Sequence, residues 1–555
     1  MSNTKTTGTV GAVNRRAVIG AAGAAAAIAG AGPTLAAPAG PVATTAAGRI
    51  RGVEREGIKI FKGVPYGADT GGANRWLPPK PVVKWTGIRD CIEYGPAPPQ
   101  GLPIGAPMKE ETDMLQQGPI GENCLTLNLY TPAVGTNSGK RAVMVWFHGG
   151  GFSAGSGNAT SYDGVNLAKK QDVILISVTH RLNHFGFLHL ADLYGEAYAD
   201  SGNVGMLDAV AALQWVRDNI ANFGGDPSRV MVFGQSGGGA KVSTLMGMVP
   251  AKGLFHRVAA ESGAARALPR AQAAVAAKRL VDALGVKSLA ELQALPWQKI
   301  VETAAANRGS GGNAPVLGAS LPAQVFDPAG SALSKDVPLI SSTTETESAS
   351  WGAPVTPLDD AQLATTIKGA TRLADADAAA LIATFKGAYP GKDNMYLAQL
   401  IISQWTFNDN VITQAEKKAA QAAAGGAPDY FFYFAHHADV RGGVLHAPHT
   451  SEIPYVFDSL AHSAPMVGTI TPAKQKLADM CSTYWANFAK TGNPNGAGLP
   501  KWDPFTPAGR ASLVVTDAGT MTVADPLKAT RGAVLAAKAK VPPAGPGGPG
   551  GPPAG

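Results

Sequence analysis

A single serine lies among glycines in the stretch FGQSGGGAKV, residues 233–242. Residues 234–238 match the pattern G-x-S-x-G, in which a serine side chain stands clear of its neighbours. The glycines permit the strained dihedrals and the close backbone contacts of a sharp turn from a strand into a helix. The pattern predicts Ser236 as a nucleophile, and a flexible loop is the alternative in a chain with 68 glycines.

A second glycine run, VWFHGGGFSAGSG, occupies residues 145–157. Consecutive glycines allow backbone N–H groups to point into a cavity, where they can stabilise a negatively charged oxygen. We expect Gly150 and Gly151, together with the N–H of Gly237, to form an oxyanion hole. A phosphate-binding loop is the alternative, but no G-K-[ST] sequence follows and no dinucleotide fingerprint surrounds the run.

Apolar runs of strand length precede both glycine motifs. RAVMVWF (141–147), DVILISV (172–178) and RVMVF (229–233) are typical of strands buried on both faces of a mainly parallel sheet. Between the last two runs, apolar residues recur at helical spacing in residues 205–223, which predicts that Asp208 faces solvent. A second helix is expected directly after Ser236. This order of strands and helices predicts an α/β fold.

Composition narrows the functional class. The chain has 555 residues, 45% of them hydrophobic and 16% charged, and can bury a large core. Its formal charge of +7 is spread without a basic run, so we expect no nucleic-acid partner. Three cysteines without a C-x-x-C pair exclude a zinc knuckle or a disulfide-rich scaffold. Nothing in the sequence indicates an oligomeric state.

Both ends of the chain differ from the rest. Arg15 and Arg16 precede an Ala-rich stretch and small residues, the layout of a twin-arginine signal peptide over residues 1–39. That stretch is too short and too rich in glycine for a stable membrane anchor. We therefore expect export to the periplasm or the extracellular space. Residues 541–555, VPPAGPGGPGGPPAG, are predicted to be a disordered tail.

The chain resembles the type-B carboxylesterases of the α/β-hydrolase fold, which include para-nitrobenzyl esterases and cholinesterases. The resemblance implies a hydrolase domain over residues 45–537, with a central, mostly parallel sheet flanked by helices and helical cap insertions. It also implies hydrolysis of small-molecule carboxylic esters through an acyl-enzyme, without a metal or organic cofactor. It rests on FKGVPYG, GENCLTLNLYTP, VWFHGGGF, GNVGMLDAVAALQWVRDNIANFGGDPSRV, FGQSGGGAKV, GLFHRVAAESGA and HAPHTSEIPYVF.

The same resemblance implies the partners of Ser236. HAPHTSEIPYVF is similar to the family segment H-G-x-E-[IL]-P-Y-x-F, which makes His449 the general base and leaves His446 as the alternative. The acid falls in VPLISSTTETESASW, where alignment on the Val-Pro pair selects Glu347. A shift of two residues would select Glu345 instead, because side chains two apart on a strand face the same side.

Two positions at which the chain departs from the family pattern lead to specific predictions. Gln235 stands where the family most often has Glu, so we expect it to border the substrate and to favour neutral esters. Pro98 stands where the family has the disulfide partner of Cys124, so Cys124 is expected to be a free thiol unless Cys91 pairs with it. Lactonase, thioesterase or amidase activity with the same triad is the alternative, and a non-catalytic binding role is a more distant one.

Overall fold

A large twisted sheet forms the centre of the computed structural model, which describes residues 40–101, 118–307, 309–350, 352–518 and 521–541. The predicted signal peptide and residues 542–555 of the predicted tail lie outside the described residues. The strands are β1 Val42–Thr44, β2 Arg49–Arg51, β3 Val53–Arg55, β4 Ile58–Pro65, β5 Ile88–Asp90, β6 Thr126–Thr131, β7 Arg141–Phe147, β8 Ile174–Val178, β9 Gly225–Gln235, β10 Arg257–Glu261, β11 Leu339–Thr344, β12 Asp429–Phe434, β13 Ser512–Val515 and β14 Met521–Ala524.

Eleven of these strands form one sheet in the order β14-β13-β12-β11-β10-β9-β7-β8-β6-β4-β3. From β13 to β8 every neighbouring pair is parallel, while β14, β6, β4 and β3 pair antiparallel at the two edges. A small second sheet has the order β1-β2-β5. The prediction of a mostly parallel α/β sheet is confirmed.

Helices connect the parallel strands and cover the sheet. They are α1 Val165–Gln171, α2 Asn183–Gly186, α3 Ala191–Tyr194, α4 Val204–Asn219, α5 Gly237–Leu245, α6 Arg270–Leu284, α7 Leu289–Ala294, α8 Trp297–Ala306, α9 Asp360–Thr371, α10 Asp375–Ala388, α11 Asn394–Ser403, α12 Asp409–Ala423, α13 Ile453–Val456, α14 Ala464–Val467, α15 Pro472–Thr491 and α16 Arg531–Lys538. A π-helical turn, Gln404–Asn408, joins α11 to α12. In the described part of the chain, no helix is both long and apolar enough to span a bilayer.

The core lies on both faces of the sheet, as β7 illustrates. Val143, Val145 and Phe147 belong to one buried cluster. Met144 and Trp146, the alternate residues of the same strand, belong to another. Successive side chains of a strand point to opposite faces, so both faces of β7 must be covered. This explains why its sequence is continuously apolar rather than alternating.

Two helical insertions interrupt the alternation of strands and helices. The helices α6–α8 follow β10, and α9–α11 follow β11. Their apolar residues form clusters separate from those of the sheet, with Leu280 and Ile300 in one and Leu363 and Phe385 in the other. Both clusters also include residues from outside the insertions, so each insertion packs on neighbouring segments of the chain as well as on itself.

One solvent-facing prediction is wrong. Asp208 on α4 is fully buried, and its carboxylate accepts from Nε of Arg181 at 2.8 Å and from the terminal guanidinium nitrogen at 2.6 Å. Arg181 is itself 2% exposed and also donates to the carbonyl of Leu77. Helical periodicity predicts that a charged residue faces solvent. Here the two hydrogen bonds from Arg181, in the loop after β8, offset the cost of burying the Asp208 carboxylate.

The three cysteines, Cys91, Cys124 and Cys481, are all buried and unbonded to one another. Cys124 is therefore a free thiol, as expected from the proline at position 98, and it does not pair with Cys91. Burial raises the pKa of the Cys91 thiol to about 12, which keeps it protonated and unreactive at neutral pH.

Candidate functional site

Ser236 occupies a sharp turn between β9 and α5. Its backbone dihedrals, φ +58° and ψ −124°, lie in a region that a residue with a side chain adopts only under strain. Its N–H donates to the carbonyl of Glu261 at 2.7 Å, and its carbonyl accepts from the N–H of Ala240 at 2.9 Å. The side chain remains half-buried, so the turn holds the hydroxyl at an accessible place above the sheet.

The flanking glycines allow this turn to pack against the end of β7. A Cβ on Gly234 would lie 2.5 Å from the carbonyl oxygen of Phe147, and one on Gly238 only 1.9 Å from it. Real Cβ atoms do not approach backbone oxygens so closely. Gly234 and Gly238 are therefore required because any side chain at these positions would collide with the backbone of β7. This explains the glycines of the G-x-S-x-G pattern.

Glu347 and His449 form a buried pair. Nδ1 of His449 lies 2.5 Å from Oε2 of Glu347, and their side chains are 2% and 0% exposed. An isolated bridge between Thr346 and Pro448 aligns the two loops that carry them. A histidine held in this way keeps the proton on Nδ1 and presents Nε2 as the basic nitrogen.

The second carboxylate oxygen of Glu347 is fully engaged. Oε1 accepts from Oγ of Ser262 and Oγ1 of Thr343, each at 2.6 Å, and from the N–H of Thr344 at 2.8 Å. Burial alone would raise the pKa of Glu347, but the charge and hydrogen bond of His449 and these hydroxyl donors outweigh it. The net pKa of Glu347 is lowered, so the group is a carboxylate at neutral pH.

The two alternative residues lie in a neighbouring cluster. Oε2 of Glu345 accepts from the hydroxyl of Tyr396 at 2.8 Å and lies 2.7 Å from Nε2 of His437. Nδ1 of His446 lies 2.7 Å from Oε1 of Gln399. The geometry brings Glu347 and His449 together and gives Glu345 and His446 other partners, so it favours the first alignment.

The glycines of the predicted oxyanion loop lie directly against the nucleophile turn. Gly150 and Gly151 have φ values of +83° and +60°, which favour glycine. A Cβ on Gly237 would lie 2.1 Å from the carbonyl oxygen of Gly151, and one on Gly149 would lie 3.4 Å from Cβ of Ser236. All three predicted donor residues are thus in one place beside the serine.

Gln235 contacts the histidine. Its side chain is 1% exposed, and its amide nitrogen lies 3.3 Å from each ring nitrogen of His449. Phe407, from the π-helical turn, packs on the same ring with the centroids 4.8 Å apart. The expected contact between Gln235 and the substrate stays a prediction. Because Gln235 also contacts His449, a substitution at Gln235 can change the properties of the general base as well.

Two further carboxyl groups lie buried beside the site. Glu261 pairs in register with Gln235 on the adjacent strand, and its Oε1 accepts from the indole nitrogen of Trp485 at 2.8 Å. Burial raises the pKa of Glu261. Burial, followed by repulsion from Glu261 and Glu347, raises the pKa of Glu452. Burial thus favours the protonated forms of these two groups, whereas Glu347 carries the negative charge that orients His449.

Several of these side chains were not predicted from the sequence as part of the site. Ser262 and Thr343 contact Glu347, and Phe407 contacts His449. Ser262 and Thr343 lie in segments quoted for the family resemblance, but neither residue was predicted to have a role. The usable signal for Ser262 and Thr343 was positional. Ser262 directly follows β10, the strand next to β9, and Thr343 lies near the carboxyl end of β11, one strand further along the parallel sheet. Among the described residues, no group of three or more His, Cys, Asp or Glu side chains could hold a metal ion.

Comparison with known proteins gives independent evidence on the family and the activity. The family model described as "Carboxylesterase family" matches residues 39–534. The para-nitrobenzyl esterase of Bacillus subtilis is 31% identical over 485 residues, which cover 85% of this chain and 94% of that protein. The phenmedipham hydrolase of Pseudarthrobacter oxydans is 31% identical over 509 residues, covering 87% and 97%.

Solved structures give the same result. A Geobacillus stearothermophilus carboxylesterase superposes with a TM-score of 0.75 at 31% identity, over 89% of this chain and 99% of that one. A Clostridium hathewayi esterase gives 0.75 at 31%, over 90% and 98%. The predicted fold, enzyme class and serine-dependent hydrolysis of carboxylic esters are confirmed. The chain belongs to the carboxylesterase family.

Proposed function

We propose that Ser236, His449 and Glu347 are the catalytic triad of this ester hydrolase. The observation that carries the proposal is the buried contact of 2.5 Å between His449 and Glu347, combined with the strained turn at Ser236. Nε2 of His449 takes the hydroxyl proton while Oγ of Ser236 attacks the ester carbonyl. Glu347 accepts the Nδ1–H bond and stabilises the imidazolium that forms.

The tetrahedral intermediate carries its negative charge on the former carbonyl oxygen. In our proposal, the N–H groups of Gly150, Gly151 and Gly237 hold that oxygen. Collapse expels the alcohol, which receives the proton from His449, and leaves the acyl group on Ser236. Water then attacks the acyl-enzyme, with His449 again acting as the base, and releases the acid.

The substrates we propose are neutral esters. In support, the side chain next to the nucleophile is the uncharged amide of Gln235, and burial favours the protonated forms of Glu261 and Glu452. The site therefore offers little negative charge to attract a substrate cation. Lactones, thioesters and amides are the alternative substrates, because the same triad can cleave them.

We also propose that the twin-arginine signal over residues 1–39 directs export of the enzyme to the periplasm or the extracellular space. The support is the Arg15–Arg16 pair followed by the Ala-rich stretch. A small-molecule ester remains the expected partner, with no nucleic acid.

Replacing Ser236 by alanine tests the triad. Ser236→Ala should reduce hydrolysis of nitrophenyl esters by about 10⁶-fold in kcat, because the nucleophile is lost, while the melting temperature stays at or above that of the native enzyme. An organophosphate should label the native enzyme at this residue and leave the variant unlabelled. Retained activity in the folded variant would contradict the proposal.

A further inference from the structure

Lys241 is a fully buried lysine on the nucleophile helix. It lies five residues after Ser236 on α5 and is 0% exposed. Its Nζ donates to the carbonyl oxygen of His148 at 2.9 Å and lies 5.9 Å from the ring centroid of Phe152. Both partners belong to the oxyanion loop, residues 148–152, of which they are the first and last residues.

The same face of α5 contacts this loop through glycine. A Cβ on Gly237 would lie 2.1 Å from the carbonyl oxygen of Gly151, and one on Gly238 would lie 3.0 Å from that of His148. Lys241 follows Gly237 and Gly238 by four and three residues, so the three positions share one side of the helix. The loop is thus attached to α5 by backbone contact at one turn and by the ammonium at the next.

The neighbouring histidines do not compensate the positive charge of Lys241. The rings of His148 and His180 stack 5.2 Å apart, from the loops that follow β7 and β8. Burial, with repulsion from Lys241 as the next cause, holds the pKa of each ring well below its usual value, so both rings are neutral. Burial also lowers the pKa of Lys241 to about 7. A nearby negative charge would raise that pKa and favour the ammonium.

Stability alone gives no reason to keep this charge. Removing a charged side chain from water is costly, and apolar replacements of similar volume in protein interiors are often neutral or stabilising. Lys241 nevertheless lies beside the loop where the reaction develops a negative charge. An ammonium in such a place can support the charge that the loop must hold.

We propose that Lys241 is a positioning residue of ester hydrolysis, whose ammonium fixes the His148 carbonyl and thereby holds the oxyanion loop in its working position against the nucleophile helix. The inference rests on the proposed function, because it assigns the loop its role in binding the oxyanion. Lys241 contacts the loop and acts through it.

The test compares two buried lysines. Lys241→Met removes the ammonium nitrogen and keeps an unbranched side chain as far as the position of Cε. Lys418→Met is the matched control, because Lys418 is also 0% exposed, donates to the carbonyl oxygens of Ser334 and Lys335, and lies on α12. We expect Lys241→Met to lower kcat for a nitrophenyl ester by about tenfold or more, with KM changed less than about twofold. Lys418→Met should keep kcat within about twofold of the native value.

A trifluoromethyl ketone gives a readout that loss of packing would not move. It binds the serine as a tetrahedral oxyanion, so its inhibition constant should weaken in Lys241→Met by the same factor as kcat/KM. The side chain in Lys241→Gln is uncharged and one bond shorter, so it cannot hold the His148 carbonyl as the ammonium does, and this variant should lose kcat as well. Native kcat and native ketone affinity in either folded variant would overturn the inference.

Different results would contradict the proposed triad and the proposed role of Lys241. Activity in Ser236→Ala would remove the triad whatever Lys241 does. Labelling of Ser236 by an organophosphate in all three lysine variants, together with a reduced kcat in the two Lys241 variants and a native kcat in Lys418→Met, is the pattern that the inference predicts.

Discussion

Glu345 and Glu347 differ by two positions in the chain, yet their carboxylates lie in different networks. Glu347 contacts His449 and accepts from Ser262 and Thr343. Glu345 contacts Tyr396 and His437. At the scale of single residues, the site depends on which carboxylate faces the histidine, and alignment of the segment alone could not separate the two.

A matched pair of substitutions tests this distinction. Glu347→Gln should lower kcat by about 10⁴-fold, because the neutral amide neither orients His449 in the basic tautomer nor stabilises its charged form. Glu345→Gln should change kcat by less than about tenfold, since its partners lie outside the triad. Steady-state hydrolysis of a nitrophenyl ester measures both. Equal losses in the two variants would contradict the assignment.

Gln235 determines the charge next to the nucleophile. Gln235→Glu should raise the ratio of kcat/KM for a cationic ester to that for its uncharged isostere, because a carboxylate in a partly dry site attracts a cation. A ratio is needed, since the residue also contacts His449 and both rates change together if the base is perturbed. Gln235→Met, the control without charge, should leave the ratio unchanged. An unchanged ratio in Gln235→Glu would show that Gln235 does not face the substrate.

At the scale of elements, the parallel sheet assembles the site. Ser236, Ser262 and Glu347 follow the ends of β9, β10 and β11, which are neighbours in the sheet, and His449 lies in the loop region after β12. The oxyanion loop follows β7 on the other side of β9. Carboxyl ends of parallel strands meet at one edge, so residues distant in the chain come together there.

The same elements explain which parts of the fold and of the site could be predicted from the sequence. The strands before both glycine motifs were predictable, because strands buried on both faces have continuous apolar runs. The turn at Ser236 was predictable because glycine is required on both sides of it. Ser262 and Lys241 carry no such local signal, since their partners come from other strands and loops. Asp208 was mispredicted for the same reason.

The buried ion pair between Arg181 and Asp208 joins the end of β8 to α4. Asp208→Ala should lower the free energy of unfolding by about 3–5 kcal/mol, because it leaves a buried guanidinium without its carboxylate. Asp218→Ala is the control, because Asp218 lies on the same helix and forms an exposed pair with Arg217, which should contribute at most about 1 kcal/mol. Denaturant titration compares the two variants. A loss in Asp208→Ala no larger than that in Asp218→Ala would contradict the prediction.

At the scale of the whole molecule, the proposal to be tested is export through the twin-arginine signal. Changing both Arg15 and Arg16 to Lys should leave full-length precursor in the cytoplasm, because the twin-arginine route reads that pair. Lys5→Arg, a conservative change outside the pair, should leave export as it is. Immunoblots of cell fractions and culture medium measure the outcome. Unchanged export of the double variant would assign the signal to the general secretory route.

The central claim concerns the whole molecule, because the active site draws on residues from the oxyanion loop to His449 and forms only in the folded chain. It is that ester hydrolysis passes through an acyl group on Ser236. The direct measurement is mass spectrometry of the enzyme quenched during a single turnover of a slowly hydrolysed ester. We expect a transient mass increase equal to the acyl group, located on the peptide that contains Ser236 and decaying with product release. Turnover without an acylated intermediate, or acylation at another residue, would contradict it.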